Sequence, residues 1–133
     1  MLTTDFKAEP REFTLKDYRC RDHGTISLIP SGEKTHEFVT FVTESGRRCD
    51  FSATGWGFYL GPSLNSRLKT EGFCSALMSN PDGQLYVVAV EEDRMDAFGA
   101  YLEENGSKVV CWLDEWSGGT IANGERSEQP LPR

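Results

Sequence analysis

The residues best suited to bind a partner lie in one stretch of the chain, from Arg47 to Lys69. It contains four basic residues and one acidic residue, although the whole chain of 133 residues carries a net charge of −7. The same stretch holds four aromatic residues and three glycines. Glycine lets a partner approach the backbone, aromatic rings give rigid contact area, and arginine donates planar charged hydrogen bonds. The residues that we expect to make the contacts are Arg47, Arg48, Trp56, Tyr59 and Arg67.

Two interpretations of this stretch remain open. Strand alternation favours burial of some of its aromatic rings, and Trp56 would then be a core residue beside a glycine bulge. The alternative places Trp56 on the surface as a contact residue, because tryptophan is enriched at binding hot spots. For Arg67 and Lys69, the competing interpretation is a solvated helix face.

A second candidate contact is Trp112, at the end of the last predicted strand. Alternation directs Trp112 and Asp114 to one side of that strand and Leu113 to the other. One of the tryptophans at positions 112 and 116 is therefore expected to be partly exposed near the acidic end of the chain. The competing role for Trp112 is to cover the edge of the sheet.

The sequence contains none of the glycine-rich phosphate loops, nucleophile elbows or zinc-protease helices that mark common catalytic sites. Cys20-x-x-His23 would make half of a zinc site, and no second half follows at a characteristic spacing. His23 or His36 would suit Cys49 as a base, yet spacing alone does not bring them together. We therefore predict no catalytic residue, no metal and no cofactor, and four reduced, mostly buried cysteines.

The charge distribution argues against binding to duplex nucleic acid, which depends on neutralising phosphates with Lys and Arg. Residues 71–133 hold twelve acidic and four basic residues, so the acidity is concentrated in the second half. Such a face keeps a protein soluble. It would also suit a basic partner or imitate a phosphate backbone.

The elements that must position these residues follow from the pattern of apolar residues. Two hairpins are predicted, each with strand-like runs around a turn that contains glycine. A short helix is expected over residues 62–72, and an amphipathic helix over residues 92–105, with Met95, Phe98 and Leu102 on one face. The predicted strands cover residues 13–18, 24–29, 37–43, 48–53, 73–78, 84–90 and 108–113.

The short connections between successive strands permit only antiparallel pairing, so the predicted class is α+β. We expect a single domain at residues 13–116, with one mostly antiparallel sheet of about five to six strands and two helices packed on it. Residues 1–12 are expected to form a flexible arm, and residues 117–133 a flexible tail. No apolar run reaches the ~20 residues of a membrane-spanning helix, and no secretory signal is visible. We therefore expect a soluble cytoplasmic protein that does not bind membranes.

Three functions are compatible with these features. The leading hypothesis is a non-enzymatic accessory or regulatory protein that binds another protein. The second is a pocket for a small anionic ligand, or a catalytic pocket, around Trp56, Tyr59 and Arg67. The third is an acidic mimic of nucleic acid, which requires the carboxylates of residues 92–105 and 114–115 to form one continuous stripe.

Overall fold

A computed structural model describes residues 1–116 and shows an α+β chain with mostly antiparallel strands and two helices. Short 3₁₀ helices occupy Glu92–Arg94 and Leu113–Glu115. The longer elements are β1 (Leu2–Leu15), β2 (Tyr18–Leu28), β3 (Glu37–Val42), β4 (Arg48–Thr54), β5 (Gly57–Leu60), α1 (Arg67–Thr70), β6 (Phe73–Ser79), β7 (Leu85–Glu91), α2 (Met95–Asn105) and β8 (Lys108–Trp112).

The strands form three small sheets instead of the single sheet predicted. Their orders are β1-β2, β3-β4-β5 and β7-β6-β8. Proline interrupts the chain where the sheets separate, with Pro30 between β2 and β3 and Pro62 after β5. Since proline cannot donate a ladder hydrogen bond, these positions are poor places to continue a sheet.

Two compact units are present. The first contains Met1–Phe41 and Asp50–Gly61, and the second contains Val42–Cys49 and the chain from Pro62 onward. The first unit therefore holds the β1–β2 ribbon and most of the β3-β4-β5 sheet. The second holds the β7-β6-β8 sheet and both helices. The predicted domain at residues 13–116 stays a prediction, and the predicted tail at 117–133 lies outside the described residues.

Both predicted hairpins are confirmed, as β3–β4 and β6–β7, and the amphipathic helix is confirmed as α2 preceded by a 3₁₀ turn. Two local predictions are wrong. Residues 1–12 form most of β1 and not a flexible arm, because they pair in antiparallel register with β2. The strand predicted over residues 13–18 is broken by a turn at Lys16–Asp17, where the φ angle of Lys16 is 53°.

The β1–β2 ribbon has one apolar and one polar face, because side chains alternate along each strand. On the polar face, Arg19 and Arg21 pair with Glu12. The apolar side chains lie on the other face, and Leu2, Phe6 and Leu15 remain more than half exposed there. That face carries Leu2, Phe6, Phe13, Leu15, Tyr18, Cys20, Ile26 and Leu28, together with the polar residues Thr4, Arg11 and Asp22.

Asp22 stabilises an irregularity in the ribbon, where the pairing register shifts between Phe6 and Arg11. Its carboxylate accepts a hydrogen bond from the Gly24 N–H at 3.0 Å. The Lys7 ammonium and the Arg11 guanidinium lie 3.8 and 3.6 Å from the same carboxylate. The Gly24 hydrogen bond, followed by the charge of Lys7, lowers the pKa of Asp22 below its ordinary value.

The core of the second unit lies between β6 and the elements around it. Leu68 of α1 is fully buried, α1 contacts β6, and Phe73, Ala76 and Met78 of β6 are buried as well. The helix predicted over residues 62–72 is shorter than expected, with a single turn at 67–70. Ser63 explains the late start, because its hydroxyl and carbonyl accept the N–H groups of Arg67 and Leu68 at 3.0 and 2.9 Å.

Asp114 is buried, whereas the hypothesis of an acidic stripe requires it on the surface. The strand ends at Trp112, and Leu113–Glu115 turns as a 3₁₀ helix against β6. The Asp114 carboxylate accepts the Ser75 N–H at 3.2 Å and lies 3.7 Å from the Lys69 ammonium. Asp114 therefore belongs to the interior of the second unit.

Glu91, at the end of β7, anchors the loop between β3 and β4. The hydroxyl groups of Ser45 and Thr43 both donate to its carboxylate, the latter at 2.9 Å. These two hydrogen bonds, together with the nearby charge of Arg47, lower the pKa of Glu91 from its ordinary value of 4.5. The ionised carboxylate is therefore the form that holds this loop.

We predict that the stability added by Glu91 disappears in acid. A carboxyl whose pKa is lowered on folding stabilises the protein above its unfolded pKa, and this contribution is lost as the pH falls through the folded pKa. Urea unfolding at pH 7 should show Glu91→Gln to be less stable than the wild type, and the difference should shrink at pH 3. Glu92→Gln, at the exposed neighbouring residue, is the control. A difference that grows on acidification would contradict this account.

Candidate functional site

Trp56 lies at the tip of the β4–β5 hairpin, with 74% of its surface exposed. Thr54 defines this turn, because its hydroxyl accepts the N–H groups of Trp56 and Gly57 at 3.2 and 3.1 Å and donates to the Gly57 carbonyl at 3.1 Å. A hydroxyl that bonds the following backbone groups is a common way to stabilise a tight turn. Of the two interpretations of Trp56, the structure therefore excludes the core residue.

Trp56 is the exposed end of an aromatic cluster that consists of His36, Phe38, Trp56 and Tyr59. Its ring stacks on Tyr59, with centroids 5.9 Å apart and 20° between the planes. Phe38 and His36 contact Tyr59 edge-on at centroid distances of 6.4 and 5.7 Å. Such pairs contribute roughly 0.5–1.5 kcal/mol beyond the area they bury. The exposed tryptophan thus rests on the Tyr59 ring, which Phe38 and His36 hold in turn.

The Tyr59 hydroxyl and His36 Nδ1 are hydrogen-bonded at 2.9 Å, which fixes the Tyr59 ring from its polar end. Gly61 has no Cβ atom, which allows the Phe38 ring to pack closely against the backbone at this position. A Cβ atom at that position would lie 3.1 Å from the Phe38 ring and 3.0 Å from the Asp50 Cβ. The cluster is therefore held in place by a hydrogen bond and by close packing.

Phe58 extends the exposed apolar surface at the same hairpin. It is 72% exposed and lies on the opposite face of β5 from Tyr59, because adjacent strand residues alternate. Phe41 and Phe51 form a further edge-to-face pair in this sheet, with centroids 5.2 Å apart. The hairpin tip therefore presents a tryptophan and a phenylalanine on its two sides.

The basic residues predicted as contacts all lie in the second unit. Arg48 and Arg67 are exposed. Arg47 donates hydrogen bonds to the Gly72 carbonyl at 3.2 Å and to the Asp93 carboxylate at 2.8 Å. These bonds hold the β3–β4 loop against the start of β6 and the turn after β7, so Arg47 has a structural role within its unit.

Trp112, the remaining predicted contact, is half-buried in β8. It lies opposite Ala76 of β6 and packs edge-on against Phe98 of α2, with centroids 6.2 Å apart. Trp116 is the more exposed of the two tryptophans at this end of the chain. Within the predicted set, the structure brings together Trp56 and Tyr59.

His36 and Phe38 are the members of the cluster that sequence reasoning did not select. The sequence offers His36 as a base for Cys49 or as a zinc ligand, and it places Phe38 in the strand predicted over residues 37–43. The available signal was the predicted β3–β4 hairpin, which puts residues near 38 beside β4. The contact with Tyr59 also needs the pairing of β4 with β5, in which Ser52 lies opposite Tyr59.

The second unit contains an open groove between β7 and α2, with a volume of about 440 Å³. Apolar side chains form most of its lining, and Glu91 and Arg94 lie at its polar end. The apolar lining includes Val88, Val90, Phe98 and Tyr101. None of the predicted contact residues lines this groove.

The described chain offers little for metal chemistry. Within residues 1–116, no group of three or more His, Cys, Asp and Glu side chains is arranged to hold a metal ion. Cys20 and His23 are three positions apart on a strand, which directs them to opposite faces. All four cysteines are thiols, and Cys49 is buried. Burial, followed by the negative charge of Asp114, raises the pKa of the Cys74 thiol.

None of the helices in the described part of the chain is both long and apolar enough to cross a membrane. The chain matches no protein-family model, no curated protein and no solved structure.

Proposed function

We propose that this chain is a non-enzymatic accessory protein that binds another protein through the aromatic cluster of its first unit. The observation that carries the proposal is the exposure of Trp56 on a rigid support. Tryptophan is enriched among residues that dominate binding energy, and it offers a large contact area with few rotatable bonds. A side chain held in one orientation before binding loses less conformational entropy when the complex forms.

Other exposed side chains of the first unit also favour a protein partner. Phe58 of the same hairpin and Leu2, Phe6 and Leu15 of the ribbon are apolar and more than half exposed. Exposed apolar side chains of this kind become buried when a protein partner binds. A regulator, an inhibitor or an assembly factor would use such a surface.

A pocket for a small anionic ligand is less well supported. Ligand pockets bury most of the ligand between concave walls, whereas Trp56 projects from the tip of a hairpin. Asp114 is also buried, so it cannot contribute to the acidic stripe that mimicry of nucleic acid requires. The cytoplasmic location and the absence of catalysis remain predictions.

We predict that Trp56→Ala abolishes partner binding and leaves the protein folded. Loss of a hot-spot tryptophan costs about 2 kcal/mol or more, which weakens binding roughly 30-fold or more. An exposed side chain contributes little to stability, so the midpoint of thermal unfolding should stay nearly unchanged. The measurement is capture of the partner from an extract of the source cells by tagged wild type and variant.

The matched control is Trp116→Ala, which removes a tryptophan exposed in the second unit. It should retain the partner that Trp56→Ala loses. Equal recovery of the same partner by the wild type and by Trp56→Ala would exclude the aromatic cluster as the binding site.

A further inference from the structure

The free edge of β7 is the most exposed apolar feature of the second unit. β7 pairs with β6 on one side and is the edge of the β7-β6-β8 sheet. Leu85, Tyr86 and Val87 are 59%, 47% and 63% exposed. Residues 85–90, Leu-Tyr-Val-Val-Ala-Val, are apolar at every position, on both faces of the strand. Continuous apolar runs of this kind are typical of strands buried inside a sheet.

The opposite edge of the same sheet is protected, whereas the β7 edge is not. β8 begins with Lys108, and its pairing with β6 shifts register between Leu77 and Met78. A charged residue and an irregular register are devices that prevent an edge strand from pairing with another chain. β7 pairs with β6 without interruption from Phe73↔Glu91 to Ser79↔Leu85, and residues 85–90 contain no charge and no proline.

We propose that β7 pairs antiparallel with β7 of a second copy of this chain, which forms a homodimer with a continuous six-stranded sheet. The edge is complementary to itself. With a two-fold axis at Val87, Leu85 faces Ala89 of the second copy and Tyr86 faces its Val88, so no like charges meet between residues 85 and 89. A partner strand bearing charges would place them against apolar side chains, which favours a second copy over a charged peptide.

The groove beside β7 supports the same arrangement. α2 lies on one face of the sheet, where Phe98 contacts Trp112, and none of its residues is fully buried. Tyr101 of α2 is 39% exposed and lines the groove with Val88 and Val90. A two-fold axis perpendicular to the sheet keeps both copies of α2 on the same face of the sheet, on either side of the contact between the two β7 strands. The second copy then covers the exposed side chains along this edge.

The first test is the mass of the protein in solution by sedimentation velocity over a wide range of concentrations. The wild type should sediment as a dimer and Val87→Lys as a monomer, because Lys on the edge places two ammonium groups opposite each other. Trp116→Lys is the matched control, since Trp116 is 47% exposed in the same unit and follows β8, the strand at the opposite edge of the sheet. It should remain a dimer. A monomeric wild type, or a dimer that persists in Val87→Lys, would overturn the proposal.

The second test shows whether the two β7 strands face each other in the dimer. A short bis-maleimide reagent should link Val87→Cys of two copies, identified by mass spectrometry as a link from position 87 to position 87. Facing residues of antiparallel strands have Cβ atoms about 4.5–5.5 Å apart, which is within reach of the reagent. Trp116→Cys should form no such link. A dimer in which position 87 does not cross-link to itself would show that another surface makes the contact.

The dependence of association on salt concentration distinguishes this dimer from a complex with a basic protein. Each copy carries a net charge of −7, so added salt screens the repulsion between copies and should strengthen the dimer. A complex driven by opposite charges would weaken instead. Trp56→Ala should leave the dimer intact, so failure of this inference and failure of the proposed function give different results.

Discussion

Gly24→Ala should open the β1–β2 ribbon while the second unit stays folded. Gly24 has a φ angle of +116°, and a Cβ atom there would lie 2.2 Å from the Asp5 carbonyl oxygen and 3.0 Å from the Phe6 Cα. Both neighbours are backbone atoms of the paired strand, so neither can move without breaking the ladder. We expect a cost of roughly 3 kcal/mol or more, from the unfavourable φ and the clash together.

A two-stranded ribbon has little stability to lose. Amide hydrogen exchange should therefore show loss of protection from Leu2 to Phe6 and across the facing part of β2, with unchanged protection in β6. Gly32→Ala is the matched control, because Gly32 has a similar φ of +122° and nothing within 4 Å of the added Cβ. It should cost only about 1 kcal/mol, the conformational part of the effect. Wild-type protection of the ribbon in Gly24→Ala would contradict the register between β1 and β2.

Leu68→Ala should be the most destabilising of the simple truncations in the second unit. Leu68 is fully buried, and α1 places it against β6. Removing a buried leucine loses the transfer free energy of its methyl groups and leaves a cavity, at a cost of about 2–5 kcal/mol. α1 has one turn and is too short to be stable alone, so the contact of Leu68 with β6 is what keeps it in place.

Urea unfolding followed by tryptophan fluorescence measures this effect, since Trp112 reports on the same sheet. Leu15→Ala is the control, because it makes the same change at a side chain that is 59% exposed. It should change the free energy of unfolding by no more than about 0.5 kcal/mol. If the two variants lost equal stability, Leu68 would not be a core residue.

Local sequence signals were sufficient for part of the fold. The β6–β7 hairpin was predictable from Asn80-Pro81-Asp82-Gly83, and the structure shows the reason. The Asn80 side-chain oxygen accepts the N–H groups of Asp82 and Gln84 at 3.1 and 2.9 Å. α2 was predictable because its apolar residues recur at helical spacing and Gly106 follows its last residue. Each of these signals lies within a few residues of the structure it determines.

The ribbon and the division into three sheets were not predictable in the same way. β1 begins with few large apolar residues, so residues 1–12 lack the pattern that marks a strand. Their strand conformation depends on pairing with β2, for example Asp5 with Thr25. Since this partner lies about 20 residues away, propensity within a short window carries no information on it.

The candidate site, like the fold, could be predicted only in part from the sequence. The combination of glycine and aromatic residues pointed to Trp56 and Tyr59, but the exposure of Trp56 depends on the turn that Thr54 stabilises. Arg47 was predicted as a contact because its charge is unusual in an acidic chain. Its hydrogen bonds to Gly72 and Asp93 span 25 and 46 residues of sequence, and composition cannot reveal such contacts.

The most direct test of the central claim is photo-cross-linking from the tip of the β4–β5 hairpin. Benzoylphenylalanine replaces Phe58, which is 72% exposed in the same hairpin as Trp56, and in a second preparation it replaces Thr25 on the polar face of the ribbon. We expect one protein from the source-cell extract to cross-link in high yield at position 58 and not at position 25. No cross-linked protein at position 58, or the same mixture of proteins at both positions, would contradict a binding site at this hairpin.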